Sequence, residues 1–137
     1  MQVKIKPKTY GPLRVHASAD ASLVFETEAG NRIRAGQIAT ADALSPSDLI
    51  LAALANCIAI SMRMAAGQMA LELGTLELSA IAIKAPDLPN RFGRFEVSIK
   101  TGSTLDAGRV DELTRRTKDI CTVSNTLAGE VILLLNP

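Results

Sequence analysis

Residues 45–60 read SPSDLILAALANCIAI, and this segment has the strongest helix signals in the chain. Ser45 suits the N-cap of a helix, and Pro46 suits the first helical position. Asp48 lies three residues after the cap and can reach back to the amide of Ser45, which completes a capping box. The pattern predicts a helix over 46–66.

The predicted helix carries apolar residues on every side of its first four turns, so it must be covered all round. A chain of 137 residues can hardly do this with one layer of sheet, which predicts a partner subunit. The uncharged run at 49–62 spans 14 residues, which is short for a membrane helix and predicts a buried core helix instead. Gly67 is placed to end the helix.

Alternating polar and apolar residues predict strands on both sides of this helix. The N-terminal part, 1–40, is predicted to be a strand meander, with a first strand at 3–5 and a hairpin turn at 28–31. The pattern over 75–100 predicts further strands. A bulge is expected near Ser79, because the apolar residues that should face inward change there from one alternating series to the other.

The C-terminal part is predicted to contain a second amphipathic helix over 106–121, which delivers Cys121 at its end. A closing strand at 130–135 has a continuous apolar run and is expected to lie inside a sheet. Together these elements predict a single α+β domain over 1–137.

The composition excludes several classes of protein. The net charge is +1 and only 3% of the residues are aromatic, so the basic stripes and stacking platforms of nucleic-acid binders are missing. The N-terminus lacks the apolar segment of a signal peptide, which predicts a cytoplasmic protein. In that reducing compartment, two cysteines indicate reduced thiols or redox chemistry. One histidine and two cysteines do not make a convincing zinc site, and His16 is expected to be a surface or packing residue.

The two cysteines are the candidate reactive groups. A thiol on an apolar helix with one distant second thiol is the layout expected of a peroxidatic and a resolving cysteine. Cys57 must ionise to act, and burial opposes this, so a nearby cation is required; Arg34 and Arg32 are the candidates. Cys121 is expected to be more exposed than Cys57. Two inert cysteines are the alternative.

Two motifs in this order resemble the OsmC/Ohr family of osmotically inducible and organic-hydroperoxide-resistance proteins. The first is PxDLxLAALxxC over 46–57, and the second is CxVSxxLxG over 121–129, with RFEV at 94–97 between them. The resemblance covers roughly residues 40–135. It implies an intertwined α+β homodimer in which curved, mostly antiparallel sheets wrap two central helices.

The resemblance also implies a thiol-dependent peroxidase that reduces organic hydroperoxides. Cys57 would be the peroxidatic cysteine and Cys121 the resolving one, with an acid and an arginine assisting, here Asp48 and Arg34. In well-known branches the acid directly follows the helix-starting proline, whereas here it comes one residue later. The residue after the resolving cysteine is usually proline and is Thr122 in this chain.

The expected mechanism needs no metal or organic cofactor. A dithiol of the lipoyl or thioredoxin type would reduce the disulfide, and an apolar hydroperoxide would be the substrate. The residues expected to contact that substrate lie one turn from Cys57 on the helix: Ala53, Leu54, Ile60 and Ser61. The competing hypothesis is a non-catalytic dimeric module that binds an apolar ligand or a partner segment.

Overall fold

The computed structural model describes residues 7–87 and 90–136. The chain has an α+β fold that divides into two compact units, Met1–Asp48 and Leu49–Pro137. Within the described residues, each unit holds one three-stranded sheet. The assignment of a single domain to 1–137 stays a prediction.

The first unit is an antiparallel meander in the order β1-β2-β3. The bounds are Arg14–Ala17 for β1, Leu23–Glu26 for β2 and Arg32–Ala35 for β3. The expected hairpin turn joins β2 to β3, and Gly30 there has a φ of 95°, a conformation that glycine adopts without steric cost. The strand predicted at 3–5 lies outside the described residues.

Helix α1 spans Pro46–Gln68 and begins with the predicted capping box. The Ser45 amide donates to Asp48 Oδ2 at 3.0 Å, and the Asp48 amide donates to Ser45 Oγ at 3.2 Å. These reciprocal bonds satisfy amides that the first turn leaves without helical partners. The capping role predicted for Asp48 is therefore confirmed.

The end of α1 differs from the prediction. The helix continues through Gly67, and Ala70 takes the left-handed conformation with a φ of 54°. The Leu71 amide donates to the Ala66 carbonyl at 2.8 Å, which makes a Schellman-type cap. Leu71 packs against the core, so burying its side chain helps offset the unfavourable backbone of Ala70.

The length of α1 does not exclude a membrane segment, contrary to the sequence argument. The helix has 23 residues, and its most apolar 18-residue window has a mean hydropathy of 1.8, which suffices by length and composition alone. The core helix of a soluble protein passes the same test. In the second unit, α1 contributes Leu54, Ile58 and Met62 to the core.

The second sheet has the order β4-β5-β6, with β4 antiparallel and β6 parallel to β5. The bounds are Leu76–Lys84 for β4, Phe92–Thr101 for β5 and Glu130–Asn136 for β6. Within the described residues β6 therefore lies at an edge, and the prediction of an interior strand at 130–135 is wrong for this chain. The apolar run covers both faces of this edge strand. Val131 and Leu133 pack on the core, whereas Leu134 lies on the other face and is exposed.

The prediction of a bulge near Ser79 is also wrong. The pairing of β4 with β5 stays regular at Ser79, and its register shifts only between Ile83 and Lys84. The small residues Ala80 and Ala82 occupy the core side, and Ile81 lies on the opposite, exposed face. Since side chains alternate strictly along a strand, register and not side-chain size fixes the face.

Helix α2 spans Ala107–Ile120, and Asp106 caps it by accepting from the Arg109 amide at 2.9 Å. A short helix that the sequence did not predict, α3, follows at Thr122–Thr126. Cys121 joins the two helices: it is the C-cap of α2 and the N-cap of α3. Its side chain belongs to the core of the second unit.

Candidate functional site

Cys57 lies on α1 and is half-buried at the boundary of the core. Its neighbour Ile58 and the residue one turn later, Ser61, are buried. The Sγ atom of Cys57 lies 3.9 Å from the hydroxyl oxygen of Ser61. The helix thus holds the thiol at the edge of an apolar core, with a polar hydrogen-bonding group beside it.

Cys121 is fully buried, with 0% of its surface exposed. The expectation that it is more exposed than Cys57 is therefore wrong. The helices α2 and α3 meet at Cys121, and the Ser124 amide points at its Sγ atom at 3.4 Å. The polar sequence neighbours Thr122 and Ser124 suggested exposure, but of these only Thr122 is exposed, whereas Ser124 is buried together with Cys121.

The structure brings the two cysteines together as free thiols, and each shifts the pKa of the other. Burial raises the pKa of Cys57, but several hydrogen bonds outweigh it and hold the pKa below its ordinary value. The donors are the backbone amides of Val123 and Thr122, the thiol of Cys121 and the hydroxyl of Ser61. Such donors favour the thiolate because they stabilise its negative charge.

The pKa of Cys121 shifts in the opposite direction and is raised. Burial raises the pKa of Cys121, and the contact with Cys57 raises it further, against smaller effects of the Ser124 amide and the Ser61 hydroxyl. The pair therefore combines a thiol that ionises more readily than an ordinary thiol with one that ionises less readily. This is the division needed between a nucleophile and a second thiol that reacts later.

Sequence reasoning missed the main source of this stabilisation. It required a cation near Cys57, whereas the pKa is lowered by neutral donors from α1, Cys121 and the first turn of α3. The mostly polar segment directly after Cys121 is the sequence feature that could have indicated α3. Within the first unit, Arg34 pairs with Asp42 at 3.4 Å and Arg32 with Glu26 at 3.7 Å. A role for either arginine at Cys57 stays a prediction.

The residues expected to contact a substrate divide into two groups. Leu54 and Ser61 are buried, so their side chains belong to the interior of the second unit. Ala53 and Ile60 are exposed on α1, and they remain candidates for contact with a ligand.

Asp48 is occupied by its capping bonds, and a further catalytic role for it stays a prediction. Within residues 7–87 and 90–136, no group of three or more His, Cys, Asp or Glu residues could hold a metal ion. His16 is exposed on β1.

Together, the two sheets, the long helix that carries one thiol and the helix junction that carries the other define an α+β class of protein with paired cysteines. The chain belongs to the OsmC-like protein family, whose pattern matches residues 39–135. Both cysteines lie inside the matched region. A comparison with curated protein sequences finds no match.

Solved structures show the same fold at low sequence identity. An OsmC-like protein from Mycoplasma pneumoniae is 15% identical, with a TM-score of 0.79 over 96% of this chain and 100% of that one. The organic hydroperoxide resistance protein OsmC from Legionella pneumophila is 17% identical, with a TM-score of 0.71 over 95% and 97%. OhrB of Bacillus subtilis is 18% identical, with a TM-score of 0.67 over 92% and 98%.

Proposed function

We propose that this protein is a thiol-dependent peroxidase that reduces organic hydroperoxides to alcohols. The observation that carries the proposal is the pairing of two thiols with opposite pKa shifts, that of Cys57 lowered and that of Cys121 raised. Similarity of fold to proteins titled as organic hydroperoxide resistance proteins supports the substrate class.

The reaction proceeds in three steps. The Cys57 thiolate attacks the terminal oxygen of the hydroperoxide, the O–O bond breaks, and the alkoxide leaves as an alcohol after taking up a proton. Cys57 is then a sulfenic acid. The sulfur of Cys121 attacks the sulfur of Cys57, and a disulfide forms with loss of water. A dithiol reductant of the lipoyl or thioredoxin type restores both thiols by exchange, without a metal or organic cofactor.

The substrate is bulky and apolar in this proposal. Near Cys57, α1 offers aliphatic surface at Ala53 and Ile60, both of which are exposed. An alkyl chain gains about 0.8 kcal/mol for each methylene that it buries, and hydrogen peroxide has no such group. The specificity constant should therefore be higher for a long-chain hydroperoxide than for hydrogen peroxide.

The proposed active form is a cytoplasmic homodimer. On α1, Ile60 is 56% exposed and Met64 is 54% exposed, and these two residues lie one turn apart on the same side of the helix. Exposed apolar residues that cluster in this way are typical of surfaces covered by a partner. A second copy of this chain is the proposed partner.

Intact-mass measurement after one equivalent of cumene hydroperoxide tests the peroxidase. The wild type should lose two hydrogen atoms as the disulfide forms, and Cys121→Ser should gain one oxygen as the sulfenic acid of Cys57 accumulates. Cys57→Ser is the matched control, and it should consume no more peroxide than an ordinary buried thiol would. Unchanged masses in the wild type and Cys121→Ser would contradict the peroxidase and leave the apolar binding module as the better hypothesis.

A further inference from the structure

Ser61 lies on α1 one turn after Cys57, and its side chain is only 3% exposed. Its hydroxyl oxygen is 3.9 Å from the Sγ atom of Cys57, and either atom can act as the donor. The same hydroxyl also lies close enough to Cys121 to lower the pKa of its thiol slightly, against the larger effect of burial, which raises it. The two sulfurs that must join therefore share one buried hydroxyl group, which can donate to one and accept from the other.

Disulfide formation requires a proton to move inside this buried region. The thiol of Cys121 must lose its proton as its sulfur bonds to Cys57, and the sulfenic oxygen must gain a proton to leave as water. Cys121 has 0% exposure, so bulk water does not reach its thiol. Burial also raises the pKa of Cys121 and keeps the thiol protonated.

We propose that Ser61 relays the proton during formation of the Cys57–Cys121 disulfide. The Ser61 oxygen accepts the proton of the Cys121 thiol while its own proton passes to the sulfenic oxygen on Cys57. The S–S bond forms, the S–O bond breaks, water leaves and the hydroxyl is regenerated. The inference rests on the proposed function, because the hydroperoxide supplies the sulfenic acid.

Rapid-quench mass spectrometry of Ser61→Ala separates the two steps. Disulfide formation should slow by about 100-fold, which is a typical contribution of a positioned acid–base group. Sulfenic acid formation should slow much less, because the Ser61 hydroxyl is only one of the donors that stabilise the Cys57 thiolate. Thr117→Val is the matched control: it also removes a buried hydroxyl, but one that donates to the Leu113 carbonyl. This control should form its disulfide at the wild-type rate. Equal slowing of both steps in Ser61→Ala would indicate only a structural role and would overturn the relay.

The pH dependence of disulfide formation gives a second readout. Without the relay, only the Cys121 thiolate reacts, so the rate in Ser61→Ala should rise about tenfold per pH unit below the pKa of Cys121. In the wild type the rate of disulfide formation should depend less steeply on pH, and Ser61→Thr should restore this weaker dependence. The titratable group against Cys121 is Cys57, and its other contacts are the neutral Ser61 hydroxyl and Ser124 amide. A tenfold rise per unit in the wild type as well would argue against the relay.

A route without peroxide keeps the test independent of the proposed function. Methyl methanethiosulfonate should modify the accessible Cys57, since Cys121 is buried. Attack by Cys121 on the Cys57 sulfur then forms the disulfide and releases methanethiol, whose sulfur takes up the relayed proton. If peroxide oxidises Cys57 in no variant, the peroxidase proposal fails, but this route still measures the relay. A Ser61→Ala protein that closes its disulfide as fast as Thr117→Val would refute it.

Discussion

Cys57 and Cys121 lie in contact and shift each other's pKa in opposite directions. The Cys121 thiol stabilises the Cys57 thiolate and lowers the pKa of Cys57, and the same contact raises the pKa of Cys121. This contact adds to the burial of Cys121 and to the backbone amides of Val123 and Thr122 at Cys57. Together these effects make Cys57 the more acidic of the two thiols.

Alkylation by iodoacetamide should show this difference directly. Cys57 should react first, with a pH midpoint below the ordinary thiol value of about 8.5, because its pKa is lowered and its side chain is accessible. Cys121 should react only after unfolding, since it is fully buried. Peptide mapping after alkylation over a pH series measures both rates. Faster labelling of Cys121 would contradict the assignment.

The lowered pKa of Cys57 also predicts how stability depends on pH. Between the folded and unfolded pKa values the folded chain holds fewer protons, so the contribution of Cys57 is present above the unfolded pKa and is lost as pH falls through the folded one. The difference in unfolding free energy between the wild type and Cys57→Ala should therefore grow from pH 6 toward about pH 8.5. Urea denaturation at several pH values measures this difference, and a constant value would contradict the shift.

Thr122→Pro should raise the pKa of Cys57 and slow its oxidation. Thr122 is the first residue of α3, where proline is tolerated, and Cys121 before it has an extended backbone. The substitution thus removes one amide donor to Cys57 without breaking the helix. Thr122→Ala keeps the amide and is the matched control. Titration of the thiolate absorbance compares the two variants, and identical midpoints would exclude the amide as a contributor.

Breaking the capping box should cost stability. Asp48→Ala and Ser45→Ala each remove one of the reciprocal bonds at the start of α1, with an expected loss of about 1 kcal/mol for each. The two losses should not add in the double variant, because the side chains cap the same turn. Ser47→Ala, in the same turn but exposed, should have little effect. Urea denaturation of the four proteins measures the coupling, and strictly additive losses would contradict it.

Ile60→Lys should weaken the proposed dimer. The residue is 56% exposed on α1, so a lysine would place a charge on the proposed interface without entering the core. Light scattering at micromolar concentration should find a dimer for the wild type and for the control Ile60→Leu, and more monomer for Ile60→Lys. A folded wild-type monomer would contradict the prediction.

Local sequence patterns were sufficient to predict the start of α1 and the hairpin between β2 and β3. The capping box depends on residues within one turn, and the hairpin depends on a short turn with Gly30 at positive φ. Where the outcome depended on distant packing, the sequence predictions were wrong. Helix α1 ends at Gln68, with the left-handed residue at Ala70, and β4 has Ala80 and Ala82 on its core side.

Sequence patterns were enough to identify the two cysteines, the helix on which the first lies, the helix end that carries the second and the family motifs. The different acidities of the two thiols depend on the folded chain. Packing of the helix junction against α1 buries Cys121 and directs the amides of Thr122 and Val123 at Cys57. Thiol pKa values depend on burial and on donors from segments far apart in the chain, and these contacts exist only after the chain has folded.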